Sequence, residues 1–398
     1  MKKLVLILAF LSMSLSFSQG VIWENFSKDG LPSLTDAQRP VQPSAYDLYH
    51  INPDALVQKL AGAVDRFSDG PSIAVDFPIG NDQFETFNVY DAGAMESQLM
   101  TDFPNIHSYY GYSDTSLNKI YFTITPQGFR GVITGESILY MDPFSKVTPD
   151  DIMVYNRRDL VRTDLSFECH TDELANNANM PEISEVQTKA FRDLTFKTYQ
   201  IAIATTSEYT SYHDDGDVTN GDARADALAA IVVTLARVNS VYEQEMSIRF
   251  TLVANNDRLI YFNDQNNQGF ADPYDNYSGS QMLGENTSNI NNRIGTASYD
   301  IGHVFSTGGG GIAGQSPCAS TKGQGVTGIV TPEFDPFDID YVCHEIGHQF
   351  SAAHTFYNGC LVVHHRLHHM NLVALVLSWD MLVYVRLMFK RIVMLIFI

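Results

Sequence analysis

From about residue 20 to residue 160, short apolar runs of strand length alternate with Gly, Pro, Asn and Asp. The clearest runs cover residues 84–90, 119–125 and 131–134. Strand-length runs punctuated by turn formers predict a β-rich domain. Residues 171–189 are polar and acidic with no hydrophobic period, as expected of a linker. Beyond it, residues 198–204 read as a strand. Residues 222–245 then carry Leu228, Ile231, Val232, Leu235, Val238, Val241 and Tyr242 at helical spacing, which predicts a long amphipathic helix. Residues 248–254 read as the next strand. A strand, a helix and a second strand in succession predict an α/β layer.

Composition narrows the picture. At 398 residues the chain has room for two domains. With 44% hydrophobic and 18% charged residues, it falls among folded rather than disordered chains. The net charge of -21 argues against a nucleic acid partner, because phosphate recognition requires a basic surface. At the N-terminus Lys2 and Lys3 precede an apolar run over residues 4–11, followed by the small residues Ser16 and Ser18 around Phe17. This reads as a secretory signal peptide over residues 1–18, with an extracellular mature chain from near Gln19. The run is too short to span a bilayer, and no membrane span is expected.

Cys169, Cys318, Cys343 and Cys360 suit an oxidising compartment and leave disulfide connectivity open. The glycine-rich interval 306–328 lacks the Gly-Lys-Ser/Thr ending of a phosphate loop. It is expected to be a surface loop or an open sheet edge.

The stretch that carries chemistry runs from Asp338 to Phe356. Asp338 is a candidate helix N-cap. On the helix that follows, His344 and His348 stand four residues apart, so both imidazoles can reach one metal from the same face. Catalytic zinc takes three protein ligands and leaves one position open. Glu345 follows the first histidine, which places its carboxylate beside the metal as general base for the attacking water. His354, ten residues after His344, is the candidate third ligand. A chance His-Glu-x-x-His in a chain of this length has odds of roughly one in a hundred, and the third histidine lowers them further.

These residues resemble the metzincin zinc-protease signature. Residues 252–257, 299–307, 325–328 and 335–341 extend the likeness to the secreted bacterial reprolysin-like (adamalysin-like) metalloproteases, over about residues 195–356. The resemblance implies an α/β zincin catalytic domain, a zinc cofactor, protein or peptide substrates and a preceding propeptide-like domain. It also implies that Gly311, Ile312 and Ala313 belong to an edge strand aligning extended substrates by strand addition. Where that family has glycine for a sharp turn, this chain has Ser351, at an expected cost of about 1–2 kcal/mol.

The family also has a methionine-containing turn and a lower subdomain, and neither is visible after Phe356. Read one base earlier, Trp379-Asp380 forces glycine inside a permitted methionine-turn sequence. Met370-Asn371 likewise forces glutamate, and Met388-Phe389 forces valine. The expectation is a frameshift between about Thr355 and His364, which would make the histidine cluster from His364 to His369 accidental.

The resulting division is a signal peptide over 1–18, a β-rich domain with linker over 19–190, the upper part of a catalytic domain over 191–360 and an out-of-frame tail over 361–398. The expected function is a zinc metalloendopeptidase; the alternative is an inactive zinc-binding module lacking its lower wall. A latency role for Cys169, by thiolate ligation of zinc, ranks below a structural role. Cys343 is expected to be a packed core residue, and a Cys318–Cys360 pair is conjectured.

Overall fold

The computed structural model describes residues 21–26, 41–161, 169–171, 196–266, 268–314 and 317–352. Positions 1–18, His354, Cys360 and the tail 361–398 lie outside them, and with them the expectations attached to those positions.

The N-terminal part is built on β1 (Trp23–Asn25), β2 (Gln42–Pro43), β3 (Asp47–Ile51), α1 (Pro53–Leu60), β4 (Ile73–Gly80), β5 (Gln83–Asp91) and α2 (Ser97–Asp102). It continues with β6 (His107–Tyr112), β7 (Lys119–Thr125), β8 (Gly128–Thr134), β9 (Leu139–Pro143), β10 (Asp151–Asn156) and β11 (Leu160–Val161). Nine of these strands form one antiparallel sheet in the order β1-β3-β10-β9-β8-β7-β6-β5-β4. Successive side chains point to opposite faces of a strand. In β7, Ile120, Phe122 and Ile124 enter a core closed by Leu56 and Leu60 of α1. Tyr121 points the other way, into a second cluster with Tyr140 and Tyr155. Both faces are covered, so these strands read as continuous apolar runs instead of alternating.

The C-terminal part opens with β12 (Lys197–Thr205), α3 (Ser207–His213), α4 (Ala223–Glu245) and β13 (Ile248–Leu252). Asp222 caps α4, accepting from the Ala225 amide at 3.0 Å. β12 and β13 are parallel neighbours joined through α4, the crossover expected from the sequence. After β14 (Tyr261–Phe262), β15 (Gln265–Asn266) and α5 (Gly279–Arg293) come β16 (Ile301–Ser306), β17 (Gly310–Ala313) and β18 (Gly325–Gly328). The five-stranded sheet runs β13-β12-β16-β18-β17, with only β17 antiparallel to its neighbour. Ile201 and Ile203 face α4, whereas Ala202 and Ala204 face α5 across the sheet. This is a three-layer α/β arrangement. The glycine-rich interval supplies β17 and β18, so the sheet-edge expectation is the one realised.

The long helix departs from its amphipathic expectation. By length and apolarity α4 could cross a membrane, but 83% of its apolar window is buried inside the fold. The N-terminal sheet covers the face that carries polar residues, and those residues bond across the seam. Arg237 reaches Asp142 of β9 and Asp338, Glu243 accepts from Arg66 at 2.6 Å, and the Tyr121 hydroxyl donates to Glu243 at 2.9 Å.

N-terminal residues also occupy both edges of the five-stranded sheet. Met95 bridges Leu252 on β13, where the Leu252 amide donates to Ala94 O at 2.8 Å and the Glu96 amide to Leu252 O at 3.0 Å. Leu99 of α2 is fully buried in the core beside α4. At the opposite edge Cys169 bridges Gly311 on β17.

Candidate metal centre

The site is carried by a helical path of three pieces: α6 (Phe334–Phe337), a π-helical stretch Asp338–Cys343, and α7 (His344–Gln349). Asp338 is therefore not an N-cap, because helical turns already precede it. Its buried carboxylate instead accepts from Thr234 Oγ1 at 2.6 Å and Arg237 Nη1 at 3.2 Å. Burial raises that carboxyl to about 6 although Arg237 pulls the other way. From the N-terminal side Tyr140 and Arg157 both reach Asp335, and Arg157 also donates to Asp340 at 3.1 Å. The path leading to the two histidines is thus held by charged groups of both parts of the chain. Cys343 is fully buried in the core, as expected, with its carbonyl accepting from Tyr242.

His344 and His348 are both buried, their rings nearly perpendicular at 85°. Their Nε2 atoms lie 3.0 Å apart. His348 Nδ1 sits 2.7 Å from Ala352 O, which fixes the proton on Nδ1 and turns the Nε2 lone pair toward His344. The helix ends in a Schellman motif: the Ala352 amide donates to Gly347 O and the Ser351 amide to His348 O. Ser351 takes φ +67°, the left-handed conformation expected from its place in the motif.

Glu345 is fully buried, with Oε1 4.0 Å from His344 Nε2. Oε2 accepts from Thr171 Oγ1 at 3.3 Å, while buried Oε1 has no hydrogen-bond partner among the described residues. Burial raises this carboxyl to about 8. Glu345 is packed so closely on β17 that a Cβ on Gly311 would collide with its Oε1.

Cys169 completes the cluster. It is a free thiol whose Sγ lies 3.4 Å from His348 Nε2, and burial, then the Glu345 charge, push it up to about 12. Its neighbours also touch β17, with the His170 amide on Gly311 O at 2.8 Å and Ala313 N donating to Thr171 Oγ1 at 3.1 Å. Cys169 therefore lies in the histidine cluster, and residue 171, assigned to the linker, lies against Glu345. A lone cysteine at the edge of a polar stretch is the only sequence signal that pointed here. Cys318 is exposed and free, 3.9 Å from Asp300.

Donor atoms of Cys169, His344, Glu345 and His348 all fall within 4.8 Å of one another. Two imidazole nitrogens and a sulfur are the donor types that zinc takes. A buried carboxylate oxygen with no partner among the described residues is also what a neighbouring cation would satisfy. The residues present fit a zinc ion, and Gly311, Ile312 and Ala313 lie on the edge strand β17, with Gly311 packed against Glu345.

A family model for the M12B reprolysin-like metallopeptidases matches residues 228–355. That interval includes most of α4, the edge strand and the histidine pair, and the match supports a reprolysin-like metallopeptidase domain there. No curated protein matches the chain.

Proposed function

We propose that this chain is a secreted zinc metalloendopeptidase of metzincin type, held latent by its own N-terminal region. The observation that carries the reading is the convergence of the buried His344, His348 and Glu345 with Cys169, which bridges the edge strand beside them. His344 and His348 would hold the metal through Nε2, with His354 as the third ligand expected from sequence. Zinc, when bound, supplies the Lewis acidity that polarises a scissile carbonyl and activates water.

Glu345 is placed to take a proton from the attacking water and return it to the leaving amine. The backbone of Gly311 and Ala313, which bonds His170 and Thr171 here, would align an extended peptide substrate. In that arrangement Cys169 stands where the scissile group would lie, and its thiolate would be a further zinc ligand. The segment thus blocks the cleft and the metal together. Secretion rests on the signal-like N-terminus alone.

The test is zinc content and peptide hydrolysis of the purified chain, beside His344→Ala and His348→Ala. The reading expects about one zinc per chain in the parent, cleavage by the parent once the N-terminal region has been removed by limited proteolysis, and a loss of both metal and cleavage in each variant treated alike. Equal zinc content in all three would overturn it.

A further inference from the structure

His303 is a fully enclosed polar side chain near the centre that the proposed chemistry does not use. It lies on β16 with 0% exposure. Its Nδ1 is 2.9 Å from Gln349 Oε1 and its Nε2 is 2.8 Å from Thr327 Oγ1. The Gln349 Nε2 donates to Gly302 O at 2.8 Å, so Oε1 is the amide atom turned to the imidazole. Nδ1 must then carry the proton, and Nε2 accepts from the Thr327 hydroxyl. Burial lowers the imidazole to about 4, so it stays neutral in this arrangement.

The two partners belong to the two walls of the cleft. Gln349 follows His348 directly on α7. Thr327 pairs in register with Gly311, the edge-strand residue packed on Glu345. Neighbouring backbone leaves the contact no slack: a Cβ on Gly325 would collide with His303 Nδ1. A hydrophobic residue could fill the same volume, but it would not set a separation through two directional bonds.

We propose that His303 is a positioning residue for the metal centre. As a neutral imidazole bonded on both sides, it fixes the histidine-bearing helix relative to the edge strand. It touches neither the metal nor the substrate and acts through Gln349 and Thr327. The inference rests on the metal site proposed above.

The experiment uses Co²⁺ with the full chain, comparing the parent with Thr327→Val and Thr327→Ser. Valine keeps the shape and removes the donor to Nε2; serine restores it. The expected result is about a tenfold weaker Co²⁺ affinity for the valine variant, the scale seen when groups that orient metal ligands are lost. Its ligand-field spectrum should shift, while the serine variant matches the parent in both. A valine variant with parental affinity and spectrum overturns the proposal, even if its metal-free form melts earlier. If Thr327→Val does not fold, Gln349→Met removes the bond on the other side and is judged by the same two readouts. A parent chain that takes up no Co²⁺ overturns the metal site and the relay together. Parental uptake with an unchanged variant overturns the relay alone.

Discussion

The Cys169 thiol lies 3.4 Å from His348 Nε2, across 179 residues of sequence. Cys169 also bridges Gly311 on β17, so in the proposed latent form sulfur and backbone together would close the cleft. Cys169→Ser should therefore hydrolyse peptides without prior processing. The expected initial rate is about tenfold or more above the parent, as a larger fraction of molecules has an open site. Equal initial rates for the two chains would count against latency.

Glu345→Gln keeps the size of the side chain and removes its capacity to accept a proton. Turnover should fall by about 10²–10⁴-fold, the range for loss of a general base. Metal content, measured on the same sample by elemental analysis, should stay at the parental level.

Ser351 holds φ +67° in the helix-terminating motif. Ser351→Gly relieves about 1–2 kcal/mol of left-handed strain and gives back part of it as chain flexibility, for a net gain of about 0.5–1 kcal/mol. A higher urea midpoint with unchanged slope is the expected reading.

Arg237 lies between two buried carboxylates, Asp142 of the N-terminal sheet and Asp338 beside the metal helix. Arg237→Met leaves both without their shared cation and should cost about 3–5 kcal/mol at neutral pH. Adding Asp142→Asn and Asp338→Asn should recover much of that loss in the same urea titration.

His303, neutral and buried with its ring lowered to about 4, makes the fold sensitive to acid. Between about pH 6.5 and 4 the unfolded chain binds a proton that the folded chain does not. Stability contributed by this group is present above pH 6.5 and falls as pH drops, by up to about 1.4 kcal/mol per pH unit. Urea unfolding at several pH values should show that slope, and His303→Gln should reduce it by one proton.

Much of the catalytic layer was legible because its signals are local. The period of α4, the flanking strands and the His344–His348 spacing each follow from one stretch of chain. Even the left-handed Ser351 could be anticipated from where the helix must turn. What escaped was long-range. Asp338 reads as a cap because Ser, Asp and Asn favour caps, but its partners Thr234 and Arg237 lie on another helix. The polar face of α4 reads as solvated because the sequence does not say that Asp142 and Tyr121 will cover it. Cys169 and Thr171 reach the site beside β17, where Cys169 bridges Gly311, a long-range contact that no local pattern encodes.

The two occupied edges of the five-stranded sheet are unequal. At β13 the N-terminal part is tied by two backbone bonds and by Leu99 sunk into the core. At β17 the described contact is three residues long and rests on one backbone bond, one hydroxyl and a sulfur. An unpaired strand edge invites pairing with other chains, so uncovering β13 would carry a risk of aggregation. Uncovering β17 frees the one edge that a substrate would use. In the proposed latent form, the two margins would then have different consequences when exposed: one would expose a pairing edge, the other the substrate's own edge.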